Sequence, residues 1–369
     1  MAFESRILNR NDTALIEEFY LHYRTQTQLD MNVKLDLSPD IWKAMTVLGD
    51  KAKVLAVIDR EKQQIACACI TSLKKCFIQG KLYTIGYMSN LKARREYWGT
   101  SAFARFMRIF NEEWKRNGAL CWLFSVFTSN SALHQMLAKP HELFSDIAII
   151  TSYHTHIFKC GALLSLTLPS HPYQVRMATQ ADIPLIQEYL IKESKTRDLL
   201  PDYSPADLQR GSGLLPDFAL SKLAIAIRDN GIVGMLGTWD QSAYRRWFVE
   251  SYSRKYRIMK PLINTLAPML NMPVLPKSGG NISYHMLSLM LISQNDSQLF
   301  EILFHKVCEN IPKNELISIG LIDQHPFSPF FRKKCISLRN YIYLGYKPEY
   351  AEIVKSIRKD RIYIEQGGL

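Results

Sequence analysis

No uncharged apolar stretch in this 369-residue chain reaches the roughly 20 residues that a helix needs to cross a bilayer. The opening Met-Ala-Phe-Glu-Ser-Arg carries an acidic residue and no long apolar run, so it lacks the pattern of a cleaved secretory signal. Seven cysteines, at 67, 69, 76, 121, 160, 308 and 335, form no CxxC pair and no spacing at which zinc ligands converge, so no metal is assigned. Cys67 and Cys69 lie two apart in an apolar run, where a strand points both to one face as small hydrophobes. No run of five or more Lys and Arg marks a nucleic-acid arm; Arg94 and Arg95 are only a pair. The expectation is a soluble, cytoplasmic protein with reduced thiols and no membrane span.

What is present is a basic, ordinarily hydrophobic chain: net charge +12, with 47% hydrophobic, 11% aromatic and 22% charged residues. The composition is that of a folded protein, and the length accommodates two domains with separate cores. The charge favours anionic partners, whether a nucleotide-like cofactor, nucleic acid or an acidic membrane surface.

A segment near the start recurs near the middle without a gap. Arg6, Asp12, Leu15, Ile16 and Glu18 reappear 170 residues later as Arg176, Asp182, Leu185, Ile186 and Glu188, and Phe19 returns as Tyr189. Two copies of one domain follow, over 1–165 and 173–369, separated by a linker in Gly161 to Tyr173 where Pro169 and Pro172 limit regular structure.

In the first copy a short strand at Arg6 to Leu8 precedes an Asp12-capped helix from Thr13 to Tyr23. A hairpin joins Lys53–Ile58 to Ile65–Thr71, and a strand covers Tyr83–Leu91. A helix at Ala102–Arg116 is stopped by Gly118, a strand follows at Leu120–Phe127, a short helix at Ser131–Leu137, and strands around Asp146–Cys160. The second copy repeats the plan with a hairpin through Asp229, Asn230 and Gly231, then Ser283–Ile292, Ser297–Asn310, Leu316–Ile322, Ile336–Tyr346 and Tyr350–Ile357. An inserted segment, 240–280, sets Arg245, Arg246, Arg254, Lys255, Arg257 and Lys260 beside the apolar Pro261–Leu275; a basic amphipathic helix can bind a membrane or a partner, and the expected reading is a helical cap packed on the domain.

This element order, with the Arg-x5-Asp-x3-Ile opening of each half, resembles the GNAT superfamily of acyl-CoA-dependent N-acyltransferases. The resemblance implies an α/β fold of two tandem GNAT-like domains, each a mixed, mostly antiparallel sheet flanked by helices. It implies acetyl-CoA or another acyl-CoA as co-substrate and a small-molecule or peptide amine as acceptor.

The family's pyrophosphate loop, Arg/Gln-x-x-Gly-x-Gly/Ala, is matched in part by the stretch Asn90 to Phe103. Leu91, Ala93, Gly99, Thr100, Ser101 and Ala102 are its candidate cofactor-binding residues, since small residues let a pyrophosphate approach helix N-terminal N–H groups. Trp98 stands where Arg or Gln is common, and Arg94 or Arg95 is left to supply the charge. Asn130 matches an Asn that reaches the pantetheine arm in the family; it equally suits a helix N-cap. The family's usual acid, a Tyr seven residues beyond that Asn, is Leu137 here, which leaves His134 and Tyr87 as catalytic candidates.

The second copy has Ile292 to Gln298 in place of the loop, without glycine, and its Asp296 would repel a phosphate while capping the next helix. Asp323, His325, Pro326 and Phe327 form a turn or line an acceptor pocket. The functional expectation is N-acetyl or related acyl transfer by the first copy. The alternative is a non-catalytic binding or regulatory protein recognising an acidic partner or nucleic acid; aminoacyl or fatty-acyl transfer is a third reading.

Overall fold

The computed structural model describes residues 2–21, 25, 26, 31–138, 146–164, 170–331 and 335–369. The first half runs β1 (Phe3–Leu8), α1 (Thr13–Leu21), β2 (Thr25–Gln26), β3 (Met31–Asp36), α2 (Ile41–Thr46), β4 (Asp50–Asp59), β5 (Gln64–Ile78), β6 (Lys81–Ala93), α3 (Ala102–Asn117), β7 (Cys121–Phe127), α4 (Ser131–Leu137) and β8 (Asp146–Lys159). The second half runs β9 (Gln174–Met177), α5 (Ile183–Ser194), β10 (Leu200–Pro201), α6 (Pro205–Arg210), β11 (Leu223–Arg228), β12 (Gly231–Trp239), β13 (Arg246–Tyr252), α7 (Arg254–Leu266), β14 (Gly280–Ile282), β15 (His285–Ile292), α8 (Ser297–Cys308), β16 (Leu316–Ile322), β17 (Ile336–Tyr346) and α9 (Ala351–Lys355). The expected extension of α1 to Tyr23 and the linker's Pro169 lie outside the described residues.

The repeated Arg and Asp are an ion pair tying a strand to the helix that follows it. Arg6 on β1 meets Asp12 at 2.6 Å, and Arg176 on β9 meets Asp182 through two contacts of 2.6 and 2.7 Å. Each Asp also accepts from the backbone N–H three residues earlier, Asn9 at 2.9 Å and Thr179 at 2.7 Å, closing the turn that launches α1 or α5.

One continuous sheet holds both halves, in the order β1-β4-β5-β6-β7-β17-β8-β16-β15-β12-β11-β9. Neighbours are antiparallel except β6 with β7 and β15 with β16. β17, from the end of the chain, lies between β7 and β8, pairing Tyr341 with Val126 on one side and Ser152 on the other. The halves thus exchange strands at the middle of the sheet. The result is the mixed, mostly antiparallel, helix-flanked α/β architecture expected of two tandem GNAT-like units.

Alternating strand residues feed opposite faces. Val54, Ala56 and Ile58 join a cluster with Phe19 of α1, Met45 of α2 and Tyr189 of α5, while Leu55 and Val57 join Phe106, Phe110 and Trp114 of α3. Cys67 and Cys69 both pack in the α3 cluster, and burial pushes the Cys67 thiol up to about 12. Gly118 ends α3 in the left-handed region, φ 67°, its N–H bonded to the Trp114 carbonyl.

One part differs from the sequence reading. The 240–280 insertion is a strand, a helix and a short strand rather than a helical cap alone, because β13 pairs with β3 and β14 to extend a second sheet, β14-β13-β3-β2. The segment from Tyr350 closes as the helix α9. Among the described residues no helix is long and apolar enough to cross a membrane, and no group of three or more His, Cys, Asp or Glu could hold a metal ion.

Candidate functional site

A cleft opens where β6 and β7 part. They pair only through Gly86, Tyr87 and Met88 with Trp122, Leu123 and Phe124, and Ser89–Ala93 then diverge. A bulge lies at the point of separation: β5 pairs Ile70 with Ser89 and then Ala68 with Lys92, and Asn90 takes φ 51°. The Asn90 carbonyl accepts from the Tyr20 hydroxyl at 3.1 Å, so α1 helps hold the bulge. Gly86 is required beside it, since a Cβ there would run into the Trp122 ring.

The loop from β6 to α3 ends at a helix terminus open to an anion. Gly99 has φ 76° with nothing near the position of a Cβ, Ser101 makes no side-chain cap bond, and the first turn of α3 holds no acidic residue. The Thr100 hydroxyl donates to the Tyr97 carbonyl at 2.7 Å, and Ala102 is buried at the helix start. Sixteen residues of aligned peptide dipoles terminate there. Arg94 is spent elsewhere: it donates to the Ile65 carbonyl, pairs with Glu18 at 2.7 Å and lies over the Phe19 ring. Arg95, exposed and over the Trp98 ring, is the cation of the pair on the open side.

A cavity of about 310 Å³ passes through the gap between β6 and β7 and is lined from both core clusters. Met88, Phe106, Phe110, Phe124, Met136 and Leu137 make its apolar wall next to the cleft. Tyr87, Leu91 and Asn130 line it; Ala93 does not, its carbonyl receiving the Trp98 indole N–H at 3.4 Å. Asn130 also caps α4, accepting from the Leu133 N–H at 3.3 Å, so cap and cavity wall are one residue.

His134 stands apart from this lining. Its Nε2 donates to the Phe127 carbonyl at 3.0 Å, and its Nδ1 lies 2.7 Å from the Tyr343 hydroxyl. The ring stacks on Tyr343 and braces α4 against β7 and β17. Tyr87 is buried, and burial pushes its phenol well above the usual range, keeping it a proton donor.

The second half has the same split and bulge but fills them with its own chain. β15 and β16 pair only at His285 and Met286 with Ile317 and Ser318, and Leu289 takes φ 52°. The Leu289 N–H donates to the Glu365 carboxylate at 2.9 Å, and that carboxylate also receives the Tyr363 hydroxyl at 2.7 Å. Asp296 caps α8 through the N–H groups of Gln298 and Leu299, at 2.8 and 3.1 Å. His325 shapes the turn beyond β16, accepting from the Phe327 N–H at 3.2 Å, and burial lowers its pKa to about 4.

Sequence reasoning missed several residues that line the cavity. Ser89, Tyr153 and Gln366 each bring a buried polar atom without a partner to its wall. Arg245 holds the tail there, donating to the carbonyls of Gly367 and Leu369 at 2.8 and 2.6 Å. Lys74 donates to the Gly368 carbonyl at 2.8 Å, and burial brings its pKa down to about 8. The Gly367-Gly368 pair was the available signal: a Cβ at Gly367 would sit 2.5 Å from the Trp239 ring, so glycine is needed where the tail passes it.

The fold is GNAT-like, with two tandem units joined in one sheet. Solved structures bear this out. Saccharomyces cerevisiae N-myristoyltransferase with bound myristoyl-CoA is similar at TM-score 0.58 and 9% identity, over 98% of this chain and 85% of that one. A probable N-acyltransferase from Enterococcus faecalis V583 is similar at TM-score 0.55 and 6% identity, over 95% and 74%. A GCN5-related N-acetyltransferase from Anabaena variabilis ATCC 29413 is similar at TM-score 0.51 and 8% identity, over 94% and 73%. No family model matches the chain, and no curated protein matches its sequence. At these identities the likeness establishes the fold.

Proposed function

We propose that the protein is an acyltransferase that moves an acyl group from acyl-CoA to an amine, with the first half, 1–165, binding the cofactor and the second, 173–369, completing the acceptor side. The observation that carries this is the conjunction of an α3 terminus at which Ser101 makes no cap bond and only the Ala102 N–H is met, by the Thr100 hydroxyl at 3.3 Å, with an apolar cavity through the β6–β7 split. A pyrophosphate fits at Gly99, Thr100, Ser101 and Ala102, and the pantetheine arm follows the diverging edge of β6 past Leu91 and Asn130 toward Ser89. Beyond the thioester the wall is Phe106, Phe110 and Phe124, which suits a long acyl chain better than acetyl. The bound myristoyl-CoA of the yeast neighbour supports the same reading.

In the reaction, the neutral amine attacks the thioester carbonyl and the thiolate leaves. Tyr87, kept protonated by burial, donates to that thiolate and recovers the proton that the acylated nitrogen sheds, so the net products are amide and free thiol. His134, with both nitrogens occupied outside the cavity, positions α4 and Asn130. In the second half Glu365 and Asp296 occupy the positions a cofactor would need, so one acyl-CoA binds per chain. The fold neighbours support this reading over a non-catalytic one. Tyr87→Phe is expected to lower kcat by about tenfold to a hundredfold with acyl-CoA affinity retained, measured by thiol release with an amine acceptor. An unchanged kcat would remove Tyr87 from the mechanism.

A further inference from the structure

The insertion carries an exposed face that acyl transfer does not use. Helix α7 packs on the second sheet through Tyr256 and Ile263, while Ile258, Leu262 and Leu266 point outward at 71%, 60% and 43% exposure. The stripe continues past the helix into Met269, Leu270 and Val274. Together with Met259, the segment holds seven of the thirteen large hydrophobic residues exposed among the described residues. Monomeric surfaces seldom gather apolar side chains in this way without a partner.

Charge selects the partner. Arg254, Lys255 and Arg257 are exposed on the first turn of α7, and Lys277 is exposed where the segment returns. No Asp or Glu occurs between Glu250 and Asp296. Lys260 is turned inward, to the Pro276 carbonyl and the Tyr252 ring. A second copy meeting this face about a two-fold axis would set like charges against each other. An anionic lipid surface offers what the patch lacks, negative headgroups over an apolar interior.

The patch is also continuous with the cavity. Pro273, Val274, Leu275 and Pro276 form part of the cavity wall, and Val274 is 45% exposed on the patch side. We propose that α7 and the turn after it dock in the plane of an anionic membrane surface, with Ile258, Leu262, Leu266, Met269 and Leu270 entering the headgroup boundary. Docking sets the Pro273–Pro276 wall at the depth where amphiphilic molecules reside. It stands apart from acyl transfer, since it is measured with no acyl-CoA present.

The test is co-sedimentation of the full chain with vesicles of phosphatidylcholine and phosphatidylserine, against phosphatidylcholine alone, at low and high salt. Binding to the mixed vesicles that weakens with salt is expected. A triple Arg254→Ala, Lys255→Ala, Arg257→Ala variant should lose affinity by about a hundredfold. A Leu262→Ser, Met269→Ser variant should bind more weakly at an unchanged melting temperature, since both side chains are exposed. Absence of binding to the mixed vesicles, or binding undiminished in both variants, would overturn the proposal. So would a concentration-dependent dimer that the Leu262→Ser, Met269→Ser change abolishes, because the face would then belong to a second copy.

Discussion

At the scale of single residues, the Arg and Asp of the repeat differ between copies in how deeply they are set. The Asp182 side chain is 5% exposed and accepts from Arg176, from the Thr179 N–H and from the Thr179 hydroxyl, whereas Asp12 is 12% exposed. The Arg176 guanidinium holds the Asp182 carboxyl well below the usual carboxylate range. A depressed folded-state pKa contributes stability above the unfolded value, about 3.9, that is lost as pH falls through the folded one. Asp182→Asn should therefore cost about 2 kcal/mol at neutral pH, less than a fully buried pair because Arg176 stays 37% exposed. The gap from wild type should narrow in acid, read by urea unfolding at neutral and acidic pH, and the same change at Asp12 should cost less.

At the scale of elements, the two clefts share a split and a bulge and differ in what fills them. Glu365 serves the second bulge from the chain's own tail, taking the Leu289 N–H and the Tyr363 hydroxyl in a buried setting. Glu365→Ala should destabilise by about 2–4 kcal/mol, since it orphans three buried donors, the Gly367 N–H at 3.3 Å being the third, with the melting temperature as readout and acyl-CoA binding in the first cleft retained.

Elements with local signals were legible in the sequence. The hairpins, α3 with its Gly118 stop and the Gly99 loop announce themselves through periodicity and glycine. β3 was missed although Met31, Val33 and Leu35 alternate with Asn32, Lys34 and Asp36, because its partner β13 lies some 210 residues away, as the Asp36–Arg246 bond shows. The same distance problem hid Tyr153, Arg245 and the tail from the site: each reaches the cavity through pairing that no local pattern encodes.

At the scale of the whole molecule, the exchange of β17 and β8 makes the halves interdependent. Without β17, β7 loses the partner that runs from Cys121 to Phe127 and becomes an open edge. The full chain should unfold in one cooperative calorimetric transition, and residues 1–165 expressed alone should show none. Binding of one acyl-CoA in the first cleft can be read by titration calorimetry with myristoyl-CoA on the wild type and on Gly99→Glu. The expected result is one site per chain in the wild type, tighter for myristoyl-CoA than for acetyl-CoA, and lost in a Gly99→Glu protein that still melts cooperatively. No acyl-CoA binding to the wild type, or equal binding by both proteins, would contradict it.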